Sequence, residues 1–300
     1  MDVLENLTQN FGGEIEPHFF DFETSRILIL PVSTFAGEIG TAAGSGANAI
    51  IKASQNLELY DDESDSEVYK LGIHTLAEYV SGASREAISG ELLELSKKHL
   101  ETGKFLFTIG DRDFISAALI KAHSEKFHNL SVVQIDAFAD LRDDSNDDYA
   151  DFSVMKHVAQ DMRLPALQIG IRSISAAEAR LIDSGLPSKV FRAQDIAGKT
   201  KWHSEAIDSL TENVYLTIDT KAFDPAVLML ERIFEPGGLG WFETLTFIRK
   251  LARSKRIIGM DVVEIPVGNN PAAAFVCAKL VYKSLSYIFS EETPHVVGFK

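Results

Sequence analysis

Two aspartates, Asp136 and Asp140, follow directly after the apolar run LSVVQI, in the stretch QIDAFADLR at residues 134–142. The run is typical of a buried strand, so both carboxylates are predicted at the C-terminal end of that strand, where open α/β sheets bind ligands. Carboxylate oxygens are ligands of divalent cations, which makes the pair suited to a metal ion. Phe138 lies between them and cannot coordinate anything. The spacing therefore indicates metal chemistry, and the ring needs an explanation.

Charged residues end other predicted strands in a related way. They occur in IGDRD (109–113), DAFAD (136–140) and TIDTKAFDP (217–225), and Glu243 follows the glycine turn in EPGGLGWFE (235–243). A single aspartate at a strand end commonly caps the next helix. Several carboxylates that converge on an apolar sheet edge, however, repel one another and resist ionisation unless cations accompany them. We therefore expect these strand ends to form one charged pocket.

The elements that must position these residues follow an α/β pattern, because short apolar runs alternate with longer amphipathic ones. This predicts a single domain over residues 1–300, with three α/β/α layers around a mostly parallel sheet. Ser175 with Glu178 predicts a capping box, and Asn270 before Pro271 predicts a helix start. The predicted strands are Arg26 to Val32, Lys104 to Thr108, Leu130 to Asp136, Leu167 to Ile171, Val214 to Asp219, Arg256 to Glu264 and Val296 to Phe299.

Composition excludes several classes of function. A formal net charge of -15 argues against nucleic acid and anionic membrane surfaces as partners, and favours a small molecule or a protein. Cys277, the one cysteine, cannot form an intrachain disulfide and is expected to be buried. The N-terminal residues do not resemble a signal peptide, and no run approaches 18 apolar residues, so we expect a cytoplasmic protein.

Two kinds of segment interrupt the alternation of strands and helices. GEIGTAAGSGANA (37–49) is rich in glycine but lacks the spacing of a phosphate-binding loop, so a plain tight connection is expected. The acidic runs DDESDSE (61–67) and RDDSNDDYAD (142–151) lack the glycine and distal glutamate of an EF-hand. Solvated loops are expected for both acidic runs.

The motifs DAFAD, TIDTKAFDP, EPGGLGWFE and IGMDVVEIP (258–266), in this order, resemble the arginase and agmatinase family, the ureohydrolases. The stretches 46–63, 167–179 and 271–285 are also similar, especially to agmatinases, so the resemblance covers residues 26–290. It implies an arginase-like fold, a homo-oligomer (trimer or hexamer), and a binuclear manganese site at the C-terminal edge of the sheet. At that site a hydroxide attacks a guanidino carbon and urea is released.

Matched residue by residue, the resemblance implies six metal-ligand positions, of which three keep a ligand. Asp136, Asp140 and Asp219 are kept, whereas Arg112, Phe138 and Lys221 stand where the family has two histidines and an aspartate. On the substrate side, Glu243 matches the glutamate that pairs with the substrate guanidinium. Asp151 falls where a substrate-side histidine is expected.

The charges of this pocket lead to a prediction about metals. The three aspartates carry -3 and Arg112 with Lys221 carries +2, so the sum is -1, and two divalent ions would bring it to +3. Lys221 and Arg112 are therefore interpreted as replacements for the metals, with Phe138 filling vacated space, and no cofactor is expected. A nucleophilic Lys221 is disfavoured, because three nearby carboxylates keep it protonated.

Three functional hypotheses follow. The first is a ureohydrolase-fold protein that has lost manganese and guanidino hydrolysis, and acts as a binding or regulatory protein or as a partner of a related active subunit. The second is an active hydrolase of C–N bonds in linear amidines, agmatinase-type, which uses one manganese held by Asp136, Asp140 and Asp219. The third is a different enzyme in the same pocket that uses Lys221 or Asp151 in acid/base work.

Overall fold

The structure, a computed structural model of the chain, describes residues 10–13, 16–34, 45–142, 153–186, 188–230, 235–265 and 270–297. One nine-stranded sheet runs through this part of the chain, and every pairing between its strands is parallel. Its strands are β1 (Ile27–Ser33), β2 (Ile73–Thr75), β3 (Tyr79–Val80), β4 (Phe105–Gly110), β5 (Leu130–Ile135), β6 (Ala166–Ile171), β7 (Ser188–Arg192), β8 (Asn213–Asp219) and β9 (Arg256–Val263).

The order of the strands decides which loops meet. It runs β2-β1-β4-β9-β8-β5-β6-β7, with β3 also paired to β1. The four central strands β4, β9, β8 and β5 are therefore consecutive neighbours, although β9 comes last in the chain. Since parallel strands end at the same edge, the segments after these four strands lie side by side. Sequence order alone did not reveal that β9 separates β4 from β8.

Helices cover both faces of the sheet, which gives the predicted three layers. The helices are α1 (Gly46–Ser54), α2 (Arg85–Glu101), α3 (Ile115–Lys126), α4 (Val154–Lys156), α5 (Ala176–Asp183), α6 (Ala193–Ile196), α7 (Trp202–Asp208), α8 (Trp241–Ser254) and α9 (Pro271–Ile288). One face carries α1, α6, α7, α8 and α9 over the larger apolar cluster, and the other carries α2, α3, α4 and α5 over the second. No helix of the described residues is both long and apolar enough to cross a membrane.

Local sequence signals for helix starts are confirmed. The Ser175 side chain accepts from the Glu178 amide, and the Glu178 carboxylate accepts from the Ser175 amide, which completes the capping box of α5. The Asn270 side chain caps α9, with Pro271 in its first turn. Cys277 is fully buried on α9, as expected for an inert thiol.

The predicted strand Val296 to Phe299 is wrong for the two residues that are described. Val296 and Val297 form bends, and their backbone amides donate to Asp65. The run 61–67 is also not a solvated loop throughout, because Asp61 is 1% exposed and Asp65 is 7% exposed. Lys283 of α9 lies 3.0 Å from Asp61 and holds this run against the fold. Residues 37–44 and 143–151 lie outside the described residues.

Candidate active site

Three aspartates meet at the ends of β5 and β8, as the sequence predicts. Asp136 directly follows β5, Asp219 ends β8, and the two strands are in register through Ile135 and Ile218. Asp136, Asp140 and Asp219 are each at most 2% exposed. Burial and the neighbouring acids raise the pKa of Asp219, while Lys221 opposes that rise. The three carboxyl groups therefore form one electrostatically coupled cluster.

Both oxygens of Asp136 accept hydrogen bonds. Oδ1 accepts from the backbone amides of Ala137 (2.5 Å) and Phe138 (3.1 Å), and Oδ2 accepts from Nε2 of Gln134 at 2.9 Å. Burial raises the pKa of Asp136, whereas Lys221 and the amides of Phe138 and Ala137 act in the opposite direction. The carboxylate is held by the turn that follows its own strand, so its orientation is fixed by local backbone.

Asp140 is the least satisfied member of the cluster. Its Oδ2 accepts from Gln134 Nε2 at 2.5 Å, but its buried Oδ1 has no hydrogen-bond donor among the described residues. Burial, followed by the charges of Asp136 and Asp113, holds its pKa well above the usual range. Asp140 also has a left-handed backbone, with φ at 50°, which aspartate tolerates better than most residues.

Lys221 lies inside the cluster rather than in solvent. The short 3₁₀ turn Thr220–Ala222 follows β8 and brings its Nζ to 3.3 Å from Asp219 Oδ2 and 3.3 Å from Glu264 Oε2. The Nζ also lies 5.4 Å from the centre of the Phe138 ring. Burial alone lowers the pKa of Lys221, but the acids around it, Asp219 and Glu264 foremost, raise it overall. The ion-pairing role predicted for Lys221 thus agrees with its contacts, and nucleophilic use is disfavoured.

Arg112 has a different neighbour from the one that the sequence suggests. Its Nη1 lies 3.9 Å from Oε1 of Glu264, which follows β9, and the same oxygen accepts from the Asp113 amide at 3.3 Å. Because β9 lies between β4 and β8, Glu264 reaches the guanidinium on one side and Lys221 on the other. The two cations are therefore linked through a shared glutamate.

The predicted charge count is wrong, because two acids were missed. Asp113 is 3% exposed and raises the pKa values of Asp140 and Asp219, and Glu264 contacts both cations. With five acids and two cations the formal sum is -3 rather than -1, so one divalent ion would bring it to -1. Both acids were within quoted motifs, IGDRD and IGMDVVEIP. They were omitted because the sequence does not give the strand order, which brings the ends of β4 and β9 next to the end of β8.

Glu243 lies in the first turn of α8, beyond the glycine turn. Its Oε2 accepts from the Gly240 amide at 3.4 Å, while its Oε1 is buried without a hydrogen-bond donor among the described residues. Burial raises its pKa. An unsatisfied, half-buried carboxylate of this kind suits a cationic ligand. Asp151, the other predicted substrate-side residue, lies outside the described residues.

The donor set fits one divalent cation in its chemistry. Asp140 Oδ1 and Asp219 Oδ2 are buried acceptor atoms with no hydrogen bond from the described residues, and carboxylate oxygens suit manganese or magnesium. The six-ligand binuclear set does not fit, because Arg112, Phe138 and Lys221 cannot ligate as they stand. In their present positions, no group of three or more His, Cys, Asp or Glu side chains among the described residues could hold a metal ion. The ammonium of Lys221 must leave Asp219 before that carboxylate can coordinate.

Comparison with known proteins gives a consistent result. The family model described as "Arginase family" matches residues 25–286. An N(1)-aminopropylagmatine ureohydrolase of Synechocystis sp. is 37% identical over 255 residues, which cover 81% of this chain and 82% of the relative. A protein of the same name from Thermus thermophilus is 29% identical over 286 residues, with 92% and 93% covered.

A solved structure supports the fold. The agmatine ureohydrolase of Thermoplasma volcanium superposes with a TM-score of 0.79 over 96% of this chain and 97% of its own, at 18% identity. At that identity the likeness concerns the fold alone, and the arginase-like architecture expected from the motifs is confirmed.

The prediction that this chain needs no cofactor is wrong. It conflicts with the family match, since the family resemblance implies a manganese centre, and with the ureohydrolase name of a relative that is 37% identical. The prediction rested on the replacement of three of the six ligand positions and on a charge count that omitted Asp113 and Glu264, so that the pocket looked already neutralised.

Proposed function

Because the chain belongs to the arginase family, we propose that it is an active hydrolase that cleaves a C–N bond of a linear guanidino or amidino substrate at the carboxylate cluster. This was the second of the three hypotheses from sequence. The loss of hydrolysis favoured first rested on the incomplete charge count and on the replaced ligands at positions 112, 138 and 221.

The observation that carries the proposal is the surplus of buried carboxylates at the ends of β5 and β8. Asp136, Asp140 and Asp219 are buried, Asp140 Oδ1 has no hydrogen-bond donor among the described residues, and Asp219 Oδ2 has only the Lys221 ammonium at 3.3 Å. An arrangement of this kind is unfavourable for folding unless a cation or a proton balances it. The excess of buried acids over Lys221 and Arg112 therefore supports a functional role.

Asp136, Asp140 and Asp219 would hold the divalent cation, manganese in this family. When bound, a cation of this kind supplies Lewis-acid activation of water and of the reacting group at neutral pH. The protein side chains orient the carboxylates: the turn amides hold Asp136, and Gln134 contacts both Asp136 and Asp140. Lys221 keeps Asp219 and Glu264 paired until the cation binds.

The substrate class follows from charge. The net charge of -15 and the acidic cluster attract cationic molecules, and Glu243 keeps a buried oxygen with no hydrogen-bond donor among the described residues, as an acceptor for a guanidinium. The names of the relatives point to agmatine and N(1)-aminopropylagmatine, which are linear cations. We propose substrates of this class, with Glu243 as the residue that binds the guanidinium.

The proposed reaction consumes one water per turnover. The water oxygen forms a bond to the carbon of the substrate guanidinium, the bond from that carbon to the substituted nitrogen breaks, and the leaving nitrogen takes up both protons of the water. The products are urea and a protonated amine, so atoms and charge balance.

The test is urea release by the purified chain after incubation with Mn²⁺, with agmatine, N(1)-aminopropylagmatine and arginine as substrates. We expect equal amounts of urea and amine from at least one linear guanidine. Asp219→Asn should abolish turnover and Glu243→Gln should raise KM. Failure of every guanidino and amidino compound to react at saturating Mn²⁺ would reject the proposal.

One observation favours a second candidate, a binding or partner subunit that does not hydrolyse. Lys221 lies 3.3 Å from Asp219, a position that weakens metal binding at that carboxylate. Such a subunit would bind agmatine-like cations without releasing urea. Calorimetric binding of agmatine with no turnover, by a chain fully loaded with Mn²⁺, would favour this second candidate.

A further inference from the structure

Gln134, the next-to-last residue of the apolar strand β5, contacts two of the three proposed ligands at once. Its Nε2 donates to Asp136 Oδ2 at 2.9 Å and to Asp140 Oδ2 at 2.5 Å. We propose that Gln134 is a positioning residue that fixes Asp136 and Asp140 relative to each other for cation binding. This inference rests on the proposed function and adds to it a residue outside the ligand set.

The amide of Gln134 is itself held in one orientation. Its Oε1 accepts from Gln168 Nε2 at 2.6 Å, and the second hydrogen of that nitrogen goes to the Ala139 carbonyl at 2.6 Å. The Oε1 of Gln168 in turn accepts from the Ser188 hydroxyl at 2.8 Å. Ser188, Gln168 and Gln134 thus form a hydrogen-bonded relay in which each donor and each acceptor is assigned. Neither amide can flip without losing hydrogen bonds.

The relay crosses three neighbouring strands. Gln134 of β5 lies in register with Gln168 of β6, and Ser188 begins β7, at the edge of the sheet. Gln134 is 3% exposed and Gln168 is fully buried. Two buried amides in a core cost free energy unless fully bonded, and apolar residues would fill the same positions without that requirement. Packing alone therefore does not explain them.

The relay also decides which oxygen atoms remain for a ligand. Gln134 occupies one oxygen of Asp136 and one of Asp140, and the turn amides occupy the other oxygen of Asp136. Asp140 Oδ1 keeps no donor among the described residues. By holding Oδ2, Gln134 leaves the buried Oδ1 as the oxygen of Asp140 that can accept from a ligand, in one fixed direction.

The first test measures Mn²⁺ affinity by calorimetry in the full chain, independently of turnover. Gln134→Met keeps the side-chain volume and removes both donors, and we expect Mn²⁺ binding to weaken about 10- to 100-fold, as is usual when a partner of a metal ligand is removed. Gln168→Met releases the Gln134 amide and should weaken binding less. If Gln134→Met does not fold, Gln168→Met provides the test of the positioning role in its place.

Ser131→Ala is the matched control. Ser131 lies on the same strand, is fully buried, and bonds to Thr211 at 2.7 Å, away from the aspartates. Its loss should lower stability and leave the Mn²⁺ affinity within twofold of the wild type. Equal affinity for the wild type and both glutamine variants would overturn the positioning role.

A second test does not depend on the metal. Crystal structures of the wild type and Gln134→Met, both in chelator, should show the Asp140 carboxylate rotated or the two carboxylates moved apart in the variant. Unchanged carboxylates would overturn the inference. A wild type that binds no Mn²⁺ would instead count against the proposed metal site, and the crystallographic comparison would still decide the role of Gln134.

Discussion

The Nζ of Lys221 lies 3.3 Å from Oδ2 of Asp219, and both side chains are at most 5% exposed. A buried ion pair of this kind adds little stability against well-packed apolar residues, but removal of one partner leaves the other charge uncompensated. Here the pair also links the cluster to Glu264. Lys221 therefore stabilises the cluster and competes with a cation at Asp219.

The first prediction concerns Lys221→Met. In chelator, we expect the free energy of unfolding to fall by about 3–5 kcal/mol, because Asp219 and Glu264 lose a buried counter-charge. With Mn²⁺ the variant should bind metal at least tenfold more tightly than the wild type, because a nearby positive charge is gone. Denaturant unfolding and calorimetry measure the two effects.

Lys70→Met provides the control for Lys221, since Lys70 forms a half-exposed pair with Glu67. Its loss should cost less than about 1 kcal/mol and should not alter Mn²⁺ affinity. If Lys221→Met unfolds like the wild type under every metal condition, the ammonium does not occupy the cluster in solution.

The second prediction concerns pH and His123. This residue is 1% exposed, and burial lowers its pKa to about 4. Because the folded pKa lies below the unfolded value, its contribution is fully present above pH 6.5 and is lost as pH falls through about 4. The loss amounts to about 3 kcal/mol. His123→Leu should remove this part of the pH dependence in unfolding experiments between pH 7 and pH 4.

His128 is exposed, which makes His128→Gln the matched control. Its unfolding free energy should follow the wild-type pH dependence throughout. An identical pH profile for His123→Leu and the wild type would contradict the buried, neutral state of His123.

The third prediction concerns the acidic run 61–67. Lys283 contacts Asp61 at 3.0 Å, and these side chains are 7% and 0% exposed. Lys283→Met should destabilise the protein by about 3–5 kcal/mol and expose this run to proteolysis. Arg249→Met removes a more exposed contact to Glu63 and should cost about 1 kcal/mol or less. Equal losses for the two variants would show that the burial of Asp61 is not decisive.

The fourth prediction concerns assembly. The family resemblance implies a trimer or hexamer, and large apolar side chains such as Phe242 and Met229 are exposed on the single chain. Light scattering should give three or six times the 33.1 kDa mass of one chain. A monomer mass over a wide concentration range would contradict this.

Much of the fold was predictable because its central strands are long apolar runs. The missed strands β2, β3 and β7 are short, and β7 (SKVFR) is largely polar and only partly buried, so no apolar run marks it. Val296 and Val297 were wrongly predicted as a strand because they are apolar and β-branched. Their amides bond to the Asp65 carbonyl and carboxylate instead of a neighbouring strand.

The aspartates of the site and Lys221 were predictable from the sequence, but the residues that contact them were predicted incompletely. Asp136 and Asp219 were recognised because they directly end apolar strands. Glu264 was missed because its neighbours depend on β9 inserting between β4 and β8, which is a property of the topology. Gln134 did carry a signal, as a single long polar side chain within LSVVQI. A polar residue near the C-terminal end of a buried strand thus predicts a contact with the site, as a carboxylate there does.

The left-handed backbone of Asp140 makes this position selective in two independent ways. Glycine and asparagine fit the backbone at φ 50°, and most other residues strain it, so a randomised codon here should return few folded sequences. Among those, only aspartate carries a negative charge into the pocket. A library at this one codon would therefore separate the demands of folding from the demands of chemistry: soluble survivors would include glycine and asparagine, and turnover would keep aspartate alone.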